Sequence, residues 1–191
     1  MNKSLSSAEA FHMERRIVTE RLILQPHCRD DLDDCTSMWS DPAVLRMIRD
    51  HPFSRHETWL RILRYAGHWA MLGYGYWTIR HRNDGRFYGE LGFALTLRDL
   101  PGEAAGLPEF GCTLSRRGWG RGIAQEATAG VLEWMDRVAR IEATSAITDL
   151  RNRSALALAN AVGYSIVEEM DFEGNPFAVL TRTSSLTTLT S

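Results

Sequence analysis

The sequence predicts one mixed α/β domain, and three stretches carry that prediction. "FSRHETWLRILRYAGHWAML", residues 53–72, places Glu57 three residues after Ser54, a capping-box signature, and then sets Trp59, Ile62, Leu63 and Ala66 at helical spacing. "YWTIRHRNDGRFYGELGFALTL", residues 76–97, alternates about Asn83-Asp84-Gly85, the chemistry of a tight turn between antiparallel strands. "RRGWGRGIAQEA", residues 116–127, spends three alternate positions on glycine between a strand-like and a helix-like run.

The remaining elements follow in chain order. "RLILQPH" reads as a strand stopped by Pro26, and "RDDLDDCTSMWSDP" as a short helix whose early acidic residues suit a helix N-terminus. "RDLPGEAAGLP" is a loop by its Gly and Pro content, and "EFGCTLS" a strand leading into the glycines. Beyond them Ile123, Ala127, Val131, Trp134 and Val138 share one helical face, which predicts a helix to about residue 138. "IEATSAIT" reads as a buried strand. In "NRSALALANAVGY", Ala155, Leu158, Ala159 and Val162 keep helical spacing, with Gly163 where a helix end favours a left-handed residue. "YSIVEEMDF" and "FAVLTRT" close the chain as a hairpin about "EGNP". Without repeats or a second composition regime, residues 16–183 form a single domain, with a flexible N-terminus over 1–15 and a frayed tail over 184–191.

Composition narrows the function classes. With 191 residues, 44% hydrophobic and 24% charged, the chain is long enough for one sizeable core and is ordinary globular material. A formal net charge of -2 supplies no basic excess for a polyanionic duplex, so no nucleic-acid partner is expected. Cys28, Cys35 and Cys112 are odd in number and lack CxxC spacing, and His27 completes no zinc pattern; reduced thiols and no metal are expected. No apolar leader opens the sequence and "WAMLGYGYW" is too short to span a bilayer, which predicts a soluble, cytoplasmic protein without a membrane partner.

Gly118, Gly120 and Gly122 lie where helix-terminal N–H groups lack intrachain partners and the macrodipole is positive. Absent Cβ atoms let the backbone approach a phosphate, and Arg116, Arg117 and Arg121 add charge suited to a pyrophosphate; the plain alternative is a turn that only permits a sharp reversal. A Walker A loop would need Lys followed by Ser or Thr after its last glycine, and Gly120 is followed by Arg121. A dinucleotide fingerprint fails as well, because Gly118-Trp119-Gly120 leads to Ile123 and Gly120-Arg121-Gly122 to Gln125.

"RGWGRG", Arg117 to Gly122, matches the R/Q-x-x-G-x-G/A signature of the GNAT N-acetyltransferases. With "TERLILQP", "MWSDPAVLRMI", "FGCTLSRRGWGRGIAQEA" and "NRSALALANAVGY", nearly the whole chain resembles the RimJ/RimL branch of that superfamily, the Acetyltransf_3 type. The resemblance implies a mixed, mostly antiparallel sheet of about seven strands, splayed at strands 4 and 5, with about four helices. It implies acetyl-CoA as co-substrate, its pyrophosphate held by Arg117, Gly118, Trp119, Gly120, Arg121, Gly122, Ile123 and Ala124. The pantetheine arm would pair with Phe110, Gly111, Cys112, Thr113 and Leu114, and Asn152 matches a further cofactor position. A backbone N–H near Cys112 would polarise the thioester carbonyl, a role worth a few kcal/mol. The Cys112 thiol is read as packing rather than as a nucleophile, since the family transfers acetyl directly.

The acceptor amine must be neutral to attack. At pH 7 a lysine amine is about one part in 2,500 neutral and an α-amine roughly a tenth to a sixth, so an α-amine asks less of a base. Glu109, at the acidic position heading the splayed strand, is the first candidate base, with a solvated strand-end carboxylate as the alternative; Glu90 is the second candidate. The acid departs from the family pattern: Ala155 and Ala159 stand where relatives place serine and tyrosine, leaving Ser154, one residue out of register, and Tyr164. Gln25 stands where many relatives have arginine.

Trp69, Tyr74, Tyr76 and Trp77 are core residues or the wall of an acceptor groove, and Trp119 covers the cofactor or plugs its loop. His51, His56 and the acidic "RDDLDD" run read as surface. Three functions remain: acetyl transfer to a primary amine, on a protein or peptide N-terminus or a small amine; non-catalytic acyl-CoA sensing, suggested by the two alanines; and nucleotide binding. Edge strands beside the last hairpin would support a homodimer.

Overall fold

The computed structural model describes residues 7–46, 48–172 and 174–186. Fourteen main elements follow in chain order: α1 (Ser7–Glu14), β1 (Ile17–Val18), β2 (Leu22–Pro26), α2 (Leu32–Trp39), α3 (Pro42–Leu45), α4 (Arg55–Leu72), β3 (Tyr76–His81), β4 (Phe87–Ala94), β5 (Glu109–Leu114), α5 (Ile123–Trp134), β6 (Ala143–Asp149), α6 (Arg153–Ala161), β7 (Ser165–Phe172) and β8 (Asn175–Thr183). One sheet of eight strands runs β1-β2-β3-β4-β5-β6-β8-β7. Among the described strands only β5 and β6 are parallel neighbours.

The count exceeds the expected seven strands and four helices, and the expected splay falls between β5 and β6 in this numbering. A two-residue strand and a four-residue helix are too short to leave a periodic signal. Ser7–Glu14, inside the stretch expected to be flexible, forms α1, where Phe11 meets Trp69 edge-on at 6.2 Å. Residues 187–191 of the expected frayed tail lie outside the described residues.

Local chemistry explains the long helices. Ser54 caps α4 by accepting from Glu57 N while the Glu57 carboxylate accepts from Ser54 N, and Gly73 ends the helix in the left-handed region. The helix predicted to about residue 138 is α-helical to Trp134 and continues as a π-turn over Met135–Ala139, closed by Arg140 at φ 55°. Asp136 in that turn accepts both guanidinium nitrogens of Arg182 on β8, at 2.9 and 2.7 Å.

Two larger cores and a small cluster of Leu100, Ala104 and Val179 hold the sheet. α5 packs Ile123, Ala127, Val131 and Leu132 against Trp77, Leu91, Phe93 and Phe110, and Trp69, Trp77 and Trp134 meet mutually edge-on at 4.7–5.6 Å. The other core joins Cys35, Met38, Trp39, Val44, Leu45 and Ile62 to Phe87. Phe87 reaches it because a bulge pairs Arg80 with Phe87 but Ile79 with Gly89, turning Phe87 to the face of Glu90. Every residue of β4 is buried.

β3 and β4 approach so closely at Gly92 that a Cβ there would lie 2.3 Å from Gly75 O and 2.5 Å from Tyr76 Cα, both backbone atoms. Gly92→Ala should therefore cost about 3 kcal/mol, lowering Tm by roughly 6–12 °C in a chain of this size. Gly67→Ala, with open space around its Cβ inside α4, should be neutral or stabilising by up to about 1 kcal/mol. Thermal denaturation of the two variants checks the contrast.

Candidate active site

β5 is paired along its length with β4, from Ala94↔Glu109 to Gly89↔Leu114. On its other side it meets β6 at Glu109↔Ser145 and Phe110↔Ala146 only, plus a bond from Ser145 N to Pro108 O at 2.9 Å. From Gly111 to Leu114 that edge has no strand partner among the described residues and borders a gap about 10 Å long, with the Leu114 carbonyl taken by the Trp119 indole N–H. Ser145 Oγ, buried on β6 at the head of the gap, has no hydrogen-bond partner among the described residues. A chain of polar groups laid along β5 would supply what this edge lacks.

The gap leads to the glycines. Ser115 ties the end of β5 back to Tyr88 O through its N–H and its hydroxyl, at 2.8 and 3.1 Å. A 3-10 turn over Arg116–Gly118 follows, and Gly120 and Gly122 adopt φ of 67° and 72°. Those left-handed values favour glycine and bring the chain round into α5, whose N-cap, Gly122, offers no side chain to the first-turn N–H groups. Space around Gly120 is open. The result is an uncapped helix N-terminus suited to an anion.

The loop is clamped from behind. Glu126, in the first turn of α5, accepts from Thr19 Oγ1 (2.5 Å), Arg21 N (2.8 Å) and Arg21 Nε (2.6 Å), while Arg21 Nη1 donates to Arg121 O at 2.9 Å. Burial opposes the charge on Glu126, but these donors hold its carboxyl below the ordinary value. Arg116 is committed elsewhere: its Nε donates to Asp41 Oδ2 at 2.7 Å, and Asp41 also caps α3 through Ala43 N. Arg117 and Arg121 are exposed on the loop. Trp119, 46% exposed, donates its indole N–H to Leu114 O at 3.0 Å, so its ring folds over the end of β5 instead of plugging the core.

Glu109 heads β5 half-buried, accepting from Thr96 Oγ1 (3.0 Å) and paired with Arg98 Nε (2.9 Å). Burial pushes its carboxyl above the ordinary value, against the opposing pull of Arg98, Thr96 and Arg64. Glu90 is different. It is buried among Tyr65 Oη, Arg61 Nε (3.3 Å) and His27 Nε2 (3.2 Å), with Cys35 Sγ at 3.8 Å. Burial opposes its charge, yet the bond and charge of His27, then Arg61 and Tyr65, bring the carboxyl down to about 2. Such a carboxylate is a weak proton acceptor at neutral pH.

His27, Cys35 and Glu90 present ligand-type atoms within 4.8 Å of one another. Glu90 already accepts from His27, Tyr65 and Arg61, and the Arg61 cation opposes a second positive charge there. Hydrogen bonding accounts for the convergence.

Cys112 lies on the α5 face of β5, packed against the main core, and burial followed by the Glu90 charge pushes its thiol up to about 12. A thiol so placed is inert, consistent with packing. Asn152 caps α6, its Oδ1 accepting from Ala155 N (3.1 Å) and Ser154 Oγ (2.9 Å). Tyr164 is buried against Phe110, its hydroxyl 2.7 Å from Thr144 Oγ1. Ala159 is core. Of the aromatic cluster, Trp69, Tyr74 and Trp77 are buried, whereas Tyr76 reaches the opening of the gap at Gly111. Sequence reasoning weighed Tyr76 only as one aromatic among four and passed over Arg21 and the Tyr65–Arg61 pair; the capping-box helix that carries that pair was its one available signal.

An unpaired strand edge running into a glycine-framed helix N-terminus is the arrangement that the resemblance implies for an acyl-CoA-dependent transferase. The chain belongs to the GNAT acetyltransferases: the family model Acetyltransf_3, acetyltransferase (GNAT) domain, matches residues 21–165. It is therefore an acyltransferase of a family whose domain uses acetyl-CoA. The uncharacterized protein YkkB of Bacillus subtilis (strain 168) is 24% identical over 185 residues, covering 91% of this chain and 99% of that protein. The ribosomal-protein-S5-alanine acetyltransferase of Vibrio fischeri shares the fold with a TM-score of 0.74 at 13% identity, covering 89% of this chain and 97% of that one. The spermidine N-acetyltransferase of Vibrio cholerae, solved with CoA and spermine, has a TM-score of 0.68 at 14% identity, covering 87% and 98%. No described helix is long and apolar enough to cross a membrane.

Proposed function

We propose that the protein transfers acetyl from acetyl-CoA directly to a primary amine, most simply the α-amino group of a protein or peptide N-terminus. The unpaired edge from Gly111 to Leu114, ending at the uncapped N-terminus of α5, carries this reading. The pantetheine arm pairs with that edge, and the pyrophosphate lies on the first-turn N–H groups of α5 with Arg117 and Arg121 beside it. The amine nitrogen bonds to the thioester carbonyl carbon and the C–S bond breaks. The amine's proton passes to Glu109, directly or through water, and the thiolate leaves with CoA. Ser154 is turned to Asn152 and Tyr164 to Thr144, so the thiolate takes its proton from solvent; with a conjugate pKa near 8.5 it leaves adequately unassisted.

Arg64 and Arg98 both act on the Glu109 carboxyl. With Arg98 paired to Glu109, Arg64 leaves one net positive charge near Glu109, which repels a polyamine, with its several charges, more than a peptide α-amine with one. That favours the substrate class of the ribosomal-protein enzyme over that of the spermidine enzyme.

Calorimetric titration with acetyl-CoA tests the site. The wild type should bind with Kd in the micromolar range, about -8 kcal/mol, and a folded Gly120→Trp variant, crowding the proposed phosphate cradle, should bind at least roughly 100-fold more weakly. Absence of binding to folded wild type would overturn the reading. Turnover with alanine-terminated peptides and with spermidine then separates the two acceptor classes.

A further inference from the structure

Tyr76 on β3 pairs with Gly92 on β4, and Gly92 with Gly111 on β5. With no side chain at either glycine, the Tyr76 ring lies across the row, and a Cβ built on Gly111 would stand 2.2 Å from its hydroxyl. The hydroxyl therefore fills the place of a side chain at the first residue beyond the last β5–β6 pair, the apex of the gap. Its position is fixed from behind. The ring stacks on Tyr65 at 4.3 Å and 7°, Tyr65 donates to Glu90, and the Tyr76 carbonyl accepts from Trp69 Nε1 at 3.0 Å. Its supports Tyr65 and Trp69 are satisfied, while the Tyr76 hydroxyl donates to no acceptor among the described residues.

Resting on the acetyl-CoA reading above, we propose that Tyr76 donates a hydrogen bond from its hydroxyl to the thioester carbonyl oxygen, as a second donor beside the backbone amide of the splayed strand. A thioester bound with its pantetheine arm along Gly111–Leu114 brings its carbonyl to the apex, where this hydroxyl lies against the strand. As the amine bonds to the carbonyl carbon, negative charge gathers on the oxygen; the two donors hold it until the C–S bond breaks and CoA departs as thiolate. Tyr76 keeps its proton throughout, and the amine's proton goes to Glu109 or water. Burial pushes the phenol above its ordinary value, so it stays neutral and acts as a donor. A fixed donor aimed where charge develops acts in the transition state more than in the ground state.

The decisive readout needs no acceptor. Acetyl-CoA labelled with carbon-13 at the carbonyl, bound to wild type, should resonate downfield of the free thioester. In Tyr76→Phe, which keeps the ring and its stacking, the bound resonance should move back toward the free position with Kd changed less than about threefold, and kcat with any amine accepted by wild type should fall roughly 100-fold. Should that variant not fold, Gly111→Ala, whose methyl takes the hydroxyl's place, gives the same readout. An unchanged bound resonance at unchanged Kd overturns the role of Tyr76 alone. Failure of folded wild type to bind acetyl-CoA overturns the cofactor reading and this inference with it.

Discussion

Replacing Glu109 by glutamine is expected to lower kcat for acetyl transfer by about 10²- to 10⁴-fold, the usual worth of a general base. Only the ionised carboxylate takes a proton, so the wild-type rate rises with pH through the Glu109 pKa, which burial displaces upward from 4.5. In Glu109→Gln that limb disappears and the acceptor's own ionisation remains. Arg98→Ala should move the limb to higher pH, because the guanidinium 2.9 Å away lowers the pKa that burial raises. A pH profile of Glu109→Gln superimposable on the wild-type profile would remove Glu109 from the mechanism.

Glu90→Ala is expected to cost about 3–5 kcal/mol of stability, because it leaves buried positive charge without its partner. Arg61 would keep its place over the Trp39 ring, 4.0 Å away, with no carboxylate beside it, and the buried Tyr65 hydroxyl would lose its acceptor. Glu90→Gln preserves that acceptor and should cost less. The wild type should also show an acid signature. With the carboxyl near 2 in the folded chain against 4.5 ordinarily, Glu90 contributes on the order of 3 kcal/mol above pH 4.5, lost as pH falls from there toward 2. Denaturant melts across that range should show a shallower loss in Glu90→Gln; parallel curves would refute the linkage.

What the sequence made legible was local. Ser54 and Glu57 find each other three residues apart, Gly85 supplies the left-handed residue of its own hairpin turn, and Gly120 and Gly122 those of their own loop. The arrangement around Glu90 was not legible, because His27, Arg61 and Tyr65 stand 63, 29 and 25 residues away along the chain. Tyr76 shows the same limit. Its meeting with Gly111 depends on the register of three strands, with a bulge between β3 and β4 shifting that register nearby, and no periodicity encodes that shift. Glu109 was found from its place at the head of β5, but its ion pair with Arg98 depends on the path of the loop over residues 95–108.

The two-pair junction of β5 with β6 also bears on how long the protein lasts. It is a fault line through the middle of the sheet: β1 to β5 form one raft, β6, β8 and β7 another, and few backbone bonds clasp them together. A pantetheine arm in the gap would be mortar as well as reactant, adding about 2.7 kcal/mol at a hundredfold excess over Kd. Side chains, with Phe110 stacked on Tyr164 and Asp136 holding Arg182, do the joining that backbone bonds leave undone, so the thioester would add its mortar where the masonry of the sheet is thinnest.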